Sequence, residues 1–294
     1  MNIFVTGATG YIGGAVSEAL LRAGHAVVGL VRPGKDPALL ERRGIRAFVG
    51  SLGDPIALAA EAATVDATIH TAFEMTADGP LADEAAVEAI LSELAGANKA
   101  FVYTSGIWVM GNTGEGADED TPLNPPPVVA WRAAVERKVR DAAARGIRTV
   151  VIRPAMVYGR GGGVPASFPR SARDTGAAVY VGTGENHWPF VHVDDLADLY
   201  VRALGAAPGS LFLGAAGPAL PVRQVAEAAS RGAGAEGRTR AWPVDEAFAV
   251  FGPMVQGLTL DQQISGKLAQ RVLGWNPGAP SILEDIEHGS YVSG

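Results

Sequence analysis

The chain has 294 residues, 48% of them hydrophobic and 19% charged, with a formal net charge of −7 and no cysteine. That length buries a sizeable core in one or two domains. The acidic balance argues against duplex DNA or an anionic membrane as main partner, and the missing cysteines exclude disulfides, thiolate chemistry and cysteine-based metal sites.

The first two thirds alternate β-branched runs with Ala/Leu-rich helical runs. In chain order the pattern predicts strand Asn2–Thr6, helix Ile12–Ala23, strand Ala26–Val31, helix Pro37–Arg43, strand Ile45–Val49 and helix Pro55–Ala62. Strand Ala67–His70, helix Leu81–Leu94, strand Ala100–Thr104, helix Val129–Ala144 and strand Arg148–Ile152 follow. Strands alternating with helices imply an α/β fold, a parallel, doubly wound sheet of Rossmann type covered on both faces. Gly24, Gly44 and Gly146 stand where left-handed helix C-caps are wanted. From about Gly159 the pattern loosens into short helices, turns and prolines. We therefore expect a dinucleotide-binding core over residues 1–158. Residues 159–294 should form mostly a small substrate-binding cap, with some elements returning to the core. Met1–Thr6 runs into glycines without the order of a signal peptide, and no stretch reaches the roughly 18 to 20 apolar residues of a membrane helix. A cytoplasmic protein is the expectation.

Gly7-Ala8-Thr9-Gly10-Tyr11-Ile12-Gly13 lies directly after the first strand and opens the first helix. Gly7 permits a tight turn, Gly10 lets backbone approach a pyrophosphate, and Gly13 lets helix and strand pack closely. The helix N-terminus adds free amides and a positive dipole end. At the end of the second strand the sequence reads Val31-Arg32-Pro33-Gly34-Lys35, with no acid before Asp36. An NAD site wants a carboxylate there; a guanidinium at Arg32 suits a 2′-phosphate instead. The expected cofactor is NADP(H) rather than NAD(H).

The segment Thr6–Gly13 resembles the opening of the atypical and extended short-chain dehydrogenase/reductases, the NAD-dependent epimerase/dehydratase family. Four further segments agree in order: His70-Thr71-Ala72, Tyr103-Thr104-Ser105-Gly106, Arg153-Pro154-Ala155-Met156-Val157-Tyr158-Gly159 and Val191-His192-Val193-Asp194-Asp195. Leu273-Gly274-Trp275-Asn276-Pro277 resembles the family's ending. The resemblance implies that Thr9, Tyr11, Ile12, Thr71, Ala72, Thr104, Pro154 and Val157 join the three glycines around the cofactor. Ser51 and Leu52 stand where the family usually has Asp-Leu near the adenine, so a hydroxyl must substitute; Asp54 caps the helix from Pro55.

The resemblance breaks at the catalytic centre. The family carries Ser or Thr after the fifth strand and Tyr-x-x-x-Lys on the next long helix, with a Glu four residues later. Taking Glu136 as that Glu puts Arg132 at the Lys position and Val128 at the Tyr position. Arg132 keeps a positive charge for the ribose; Val128 donates no proton. Ser105, one residue before the usual serine, either orients a carbonyl or ends a strand. Tyr158 and His187 are the remaining candidates for proton donation, with water as another source. His192 is expected to be scaffold, with Asp194 capping the helix through Leu204. Trp108, Trp131, His187 and Trp188 are expected at the substrate, with Val128 and Trp131 at the pocket rim. The scattered histidines suggest no metal site.

The leading reading is an NADP(H)-dependent oxidoreductase acting on a carbonyl or imine, or on the corresponding alcohol or amine, with catalytic residues Ser105, Arg132 and Tyr158. A non-catalytic NADP(H)-binding sensor and a nucleotide-sugar epimerase or dehydratase are the alternatives. The partner is a small-molecule substrate, with no nucleic acid or membrane. A homodimer through the helices of the fourth and fifth crossovers is an expectation by analogy.

Overall fold

The computed structural model describes residues 1–292. Six strands open the chain: β1 (Asn2–Thr6), β2 (Ala26–Val31), β3 (Arg46–Val49), β4 (Ala67–His70), β5 (Ala100–Thr104) and β6 (Arg148–Pro154). Between them run α1 (Tyr11–Arg22), α2 (Ala38–Glu41), α3 (Pro55–Thr64), α4 (Gly79–Glu93) and α5 (Ala130–Asp141). Beyond β6 lie β7 (Met156–Tyr158), α6 (Ser167–Thr175), β8 (Ala178–Val181), β9 (His187–Trp188), β10 (Phe190–His192), α7 (Val193–Ala203) and β11 (Ser210–Gly214). The chain continues through β12 (Leu220–Pro221), α8 (Val222–Gly232), β13 (Thr239–Trp242), α9 (Val244–Phe251), α10 (Val255–Leu258), α11 (Lys267–Leu273) and α12 (Ile282–His288).

Seven strands form one sheet in the order β11-β6-β5-β4-β1-β2-β3, and every pairing is parallel. The strand order reverses at β1, so a crevice opens beyond the carboxyl ends of β1 and β4, where such sheets take ligands. Alternate residues sort the two faces. Ile3, Val5, Val102, Val150 and Ile152 pack with α1 and α7; Phe4, Phe101, Tyr103 and Val151 pack with α3, α4 and α5. A third cluster, which includes Tyr158, Phe168, Trp188 and Phe190, forms the core of the C-terminal part around α6, α8 and α12.

The early elements fall within one to three residues of the sequence expectation. β6 runs two residues further than expected, to Pro154, and so carries its end to the crevice. Gly24, Gly44 and Gly146 all have positive φ, and Asp54 accepts the Ala57 amide at 3.1 Å to cap α3. One cap is corrected. His192, not Asp194, caps α7: its Nδ1 accepts the Asp194 amide at 3.2 Å. The Asp194 carboxylate is instead drawn to Arg160 at 2.5 Å. Among the described residues, no helix is long and apolar enough to cross a membrane.

Candidate functional site

The glycine loop is built as a tight turn. Gly7 has φ +77, and its carbonyl accepts the Gly10 amide at 2.8 Å. A Cβ on Gly13 would run into the Gly7 carbonyl and Thr71 Oγ1, whereas one on Gly10 would meet only the Gly7 oxygen, at 3.2 Å. Gly10 is exposed and caps α1 without a side-chain acceptor, leaving the first amides of the helix for an anionic group. The loop therefore fits a pyrophosphate approaching at Gly10. Arg32 and Lys35 lie exposed beyond β2. Ser51 Oγ accepts the Gly53 amide at 3.1 Å, and Leu52 is a core residue.

A cavity of about 680 Å³ starts at Tyr11 and Ile12 and continues past the ends of β5 and β6. Its far walls include Val128, Val129, Trp131, Met75, Phe251 and Met254. Among the described residues that line it, Arg132 alone carries a charge. The Tyr11 hydroxyl donates to the Gly159 carbonyl at 2.7 Å; burial pushes this phenol up, so it stays a neutral donor.

Arg132 sits in the first turn of α5. Its Nη1 donates to the Tyr103 hydroxyl and to the Thr104 carbonyl, each at 3.2 Å. Its Cζ lies 4.4 Å from the Trp131 ring centroid and 4.8 Å from that of Phe73, both within cation–π range. Phe73 and Trp131 stack on each other at 5.5 Å. Four residues further on, Glu136 and Arg153 form a buried bidentate pair, with Nη2 to Oε2 at 2.6 Å and Nε to Oε1 at 3.0 Å. That pair ties α5 to β6. Ser105 is 8% exposed and lines the cavity, and its buried Oγ has no protein partner. A buried hydroxyl without a partner is costly, and a polar ligand atom would relieve that cost.

Of the expected site residues, Tyr11, Ile12, Ser105, Trp108, Trp131, Arg132, Pro154 and Val157 line this cavity, as does Val128. Thr71 Oγ1 donates to the Thr6 carbonyl at 2.6 Å, beneath the glycine loop. Thr104 Oγ1 is engaged by the Tyr200 hydroxyl at 2.6 Å.

Three of the expected catalytic or substrate residues are not brought to the cavity. Tyr158 donates its hydroxyl to the Pro280 carbonyl at 2.7 Å and packs edge-on against Phe190 and His192. Burial pushes its phenol up, so the expectation of a proton donor there is corrected. Trp188 is 4% exposed, donates to the Leu258 carbonyl and stacks on Phe168, which makes it core rather than substrate wall. His187 is held by Asp261 at 2.9 Å. Conversely, the sequence reading missed Phe73 and the Phe251–Met254 wall. Phe73 follows Thr71-Ala72 at the end of β4, a position that signals a crevice residue; nothing local marks the distant wall.

A model of the NAD dependent epimerase/dehydratase family matches residues 3–212. The chain is 33% identical to an uncharacterised protein of Schizosaccharomyces pombe, covering 99% of this chain and all of that one. It is 30% identical to a 2-alkyl-3-oxoalkanoate reductase of Stenotrophomonas maltophilia, over 76% of this chain and 73% of the relative. The UDP-glucose 4-epimerase of Thermus thermophilus, solved in complex with NAD, superposes with a TM-score of 0.81 at 20% identity, over 100% of this chain and 99% of that one.

Proposed function

The chain belongs to the NAD dependent epimerase/dehydratase family, and we propose that within it the protein is an NADP(H)-dependent reductase of uncharged, largely apolar carbonyl or imine compounds. The observation that carries this reading is the cavity itself. It runs from the glycine loop to walls of Val128, Val129, Trp131, Phe251 and Met254 with one charge, on Arg132. A nucleotide sugar brings a diphosphate whose negative charges call for several cations or oriented donors. These walls suit an apolar group instead, whose burial contributes roughly 25 cal/mol per Å². The reductase relative named above acts by its name on an oxo group, which agrees with carbonyl reduction; its alkanoate carboxylate would fall to Arg132, the one charge in the cavity.

The residues divide the work. Gly7, Gly10 and Gly13 with the start of α1 hold the pyrophosphate, and Arg32 with Lys35 faces the 2′-phosphate. Bound cofactor supplies hydride to the substrate carbon. Ser105 Oγ donates to the carbonyl or imine, and Arg132 places positive charge where negative charge develops. With Val128 at the position that holds tyrosine elsewhere in the family, the final proton comes from water.

Val128 also favours a second reading, a cofactor-binding sensor without turnover. Single turnover separates the two. NADPH-loaded protein is mixed with apolar ketones, aldehydes and cyclic imines while nicotinamide fluorescence is followed. Loss of signal with any of them supports the reductase. Retained signal across the panel overturns it in favour of the sensor, or of an epimerase or dehydratase where nucleotide sugars turn over in its place.

A further inference from the structure

Residues at the carboxyl ends of three adjacent strands lie in one row, Thr6 and His70 the last of β1 and β4 and Tyr103 the last but one of β5. Register pairs Thr6 with His70 across β1 and β4, and His70 with Tyr103 across β4 and β5. All three project toward α4 and α5, because they alternate with residues of the opposite core. One layer further in, the matching row is Phe4, Thr68 and Phe101. Polarity therefore rises at the row nearest the cavity, though Thr6, His70 and Tyr103 are 0%, 1% and 0% exposed.

Above this row α4 lowers Asp83, itself 1% exposed. The Tyr103 hydroxyl donates to Asp83 Oδ2 at 2.9 Å, and His70 Nε2 lies 3.2 Å from Oδ1. His70 Nδ1 is 3.0 Å from Thr6 Oγ1, which accepts the Thr71 and Ala72 amides at 3.2 and 3.3 Å. One assignment of protons satisfies every contact: His70 donates from Nε2 to Asp83 and accepts at Nδ1 from Thr6. Donors then run inward from both ends, from Arg132 through Tyr103 and from the β4 loop through Thr6 and His70, to the Asp83 carboxylate. Burial pushes the Tyr103 phenol well above its usual range, against the pull of Arg132, so it remains a donor to Asp83 and an acceptor for Arg132.

We propose that Tyr103, Asp83, His70 and Thr6 are a positioning chain that fixes the Arg132 guanidinium in the cavity relative to the glycine loop. A buried carboxylate held among polar side chains stabilises a fold less well than apolar side chains of the same volume. What the row adds is a fixed direction for Arg132. The Tyr103 oxygen is oriented by Asp83, Asp83 is oriented by His70, and His70 by the hydroxyl one residue before Gly7. Only the affinity readout below rests on the functional reading above.

The test has two arms. In the cofactor-free protein, guanidinium proton resonances assigned to Arg132 by their loss in Arg132→Ala are resolved in the wild type. They broaden in Tyr103→Phe, which keeps the buried ring, and in Asp83→Asn, whose amide cannot accept from both neighbours. Unchanged Arg132 resonances in folded Tyr103→Phe overturn the proposal; Asp83→Asn is not needed if it fails to fold. In the second arm, Tyr103→Phe weakens NADPH about ten-fold in the wild-type background and has no further effect in Arg132→Ala. Equal losses in both backgrounds signal a merely structural role and overturn it. A wild type that binds no NADPH refutes the functional reading, and the resonance arm then decides the positioning chain alone.

Discussion

The glycines of the first loop are expected to fail in two different ways when filled. At Gly13 an alanine Cβ would overlap the Gly7 carbonyl and Thr71 Oγ1, and part of that obstacle is backbone. Relief requires α1 to move off β1, at a cost of about 3 kcal/mol by the usual range for overpacking. For a chain of this size that lowers Tm by roughly 5 °C. At Gly10 the backbone has φ −89 and ψ 179, which any residue adopts, and the only neighbour is 3.2 Å away. The gain from a stiffer unfolded chain offsets the weaker helix cap, so Gly10→Leu changes stability by less than about 1 kcal/mol. Its side chain then stands where the pyrophosphate approaches. Lost charge-assisted bonds and the overlap together remove on the order of 3 kcal/mol of binding, about 100-fold. Thermal melts and NADPH fluorescence titrations on both variants decide the matter. A Gly10→Leu protein that binds NADPH like the wild type refutes the loop assignment, and a Gly13→Ala protein that melts like the wild type refutes the packing argument.

Three further outcomes follow from single contacts. Arg32→Asp weakens NADPH by about 10- to 100-fold while NADH changes little, measured by titration of both; equal losses remove the reason for choosing the phosphorylated cofactor. Glu136→Ala leaves Arg153, 4% exposed, without its partner and costs about 3–5 kcal/mol in urea unfolding, whereas Glu136→Leu combined with Arg153→Met recovers most of it. Glu18 joins Arg43 and Arg160 at 2.8 and 2.7 Å. Burial alone would raise its carboxyl, but these two guanidiniums outweigh burial and hold it below the usual range. A depressed folded value means stability that is present above the unfolded value and lost as pH falls through the folded one. Glu18→Gln therefore lowers Tm at pH 7, and the difference from wild type begins to shrink as pH falls through about 4.3 and is gone below the depressed folded value; a pH-independent difference contradicts the ion-pair account.

Legibility in the sequence followed the range of the interactions. The strands and the glycine loop were readable because each is decided within a few residues, by β-branched runs, turn glycines and a helix start. Val128, Trp131 and Arg132 were readable because one helical turn fixes their mutual placement. Tyr158 and Trp188 were misplaced for the opposite reason: an aromatic residue in a cap segment serves packing or substrate with the same local pattern, and both pack into the third cluster. The Phe251–Met254 wall arrives from more than a hundred residues beyond α5. Asp83 stood in an Ala-rich helix beside Glu84, and only the α4 packing decides that one carboxylate is buried and the other half-exposed.

Arg132 is best understood with its surroundings rather than as a charge alone. A lysine ammonium is a compact point charge on a flexible stem, whereas a guanidinium is a plane with donors in a fixed fork. At Arg132 that plane lies against Phe73 and Trp131 while one nitrogen reaches both the Thr104 carbonyl and the Tyr103 hydroxyl. Each of these contacts uses a property that lysine lacks or supplies only loosely. The aromatic pair, the buried row and the arginine are therefore one arrangement, and the valine at 128 belongs with it. On the function proposed above, a site with Val128 in place of a tyrosine donor and a rigid cation beside it is suited to stabilising charge on a substrate rather than to handing it a proton. This accounts for why the cavity around Arg132 is otherwise apolar. In a low-dielectric setting a single preorganised cation acts far more strongly on a developing negative charge than it would in water.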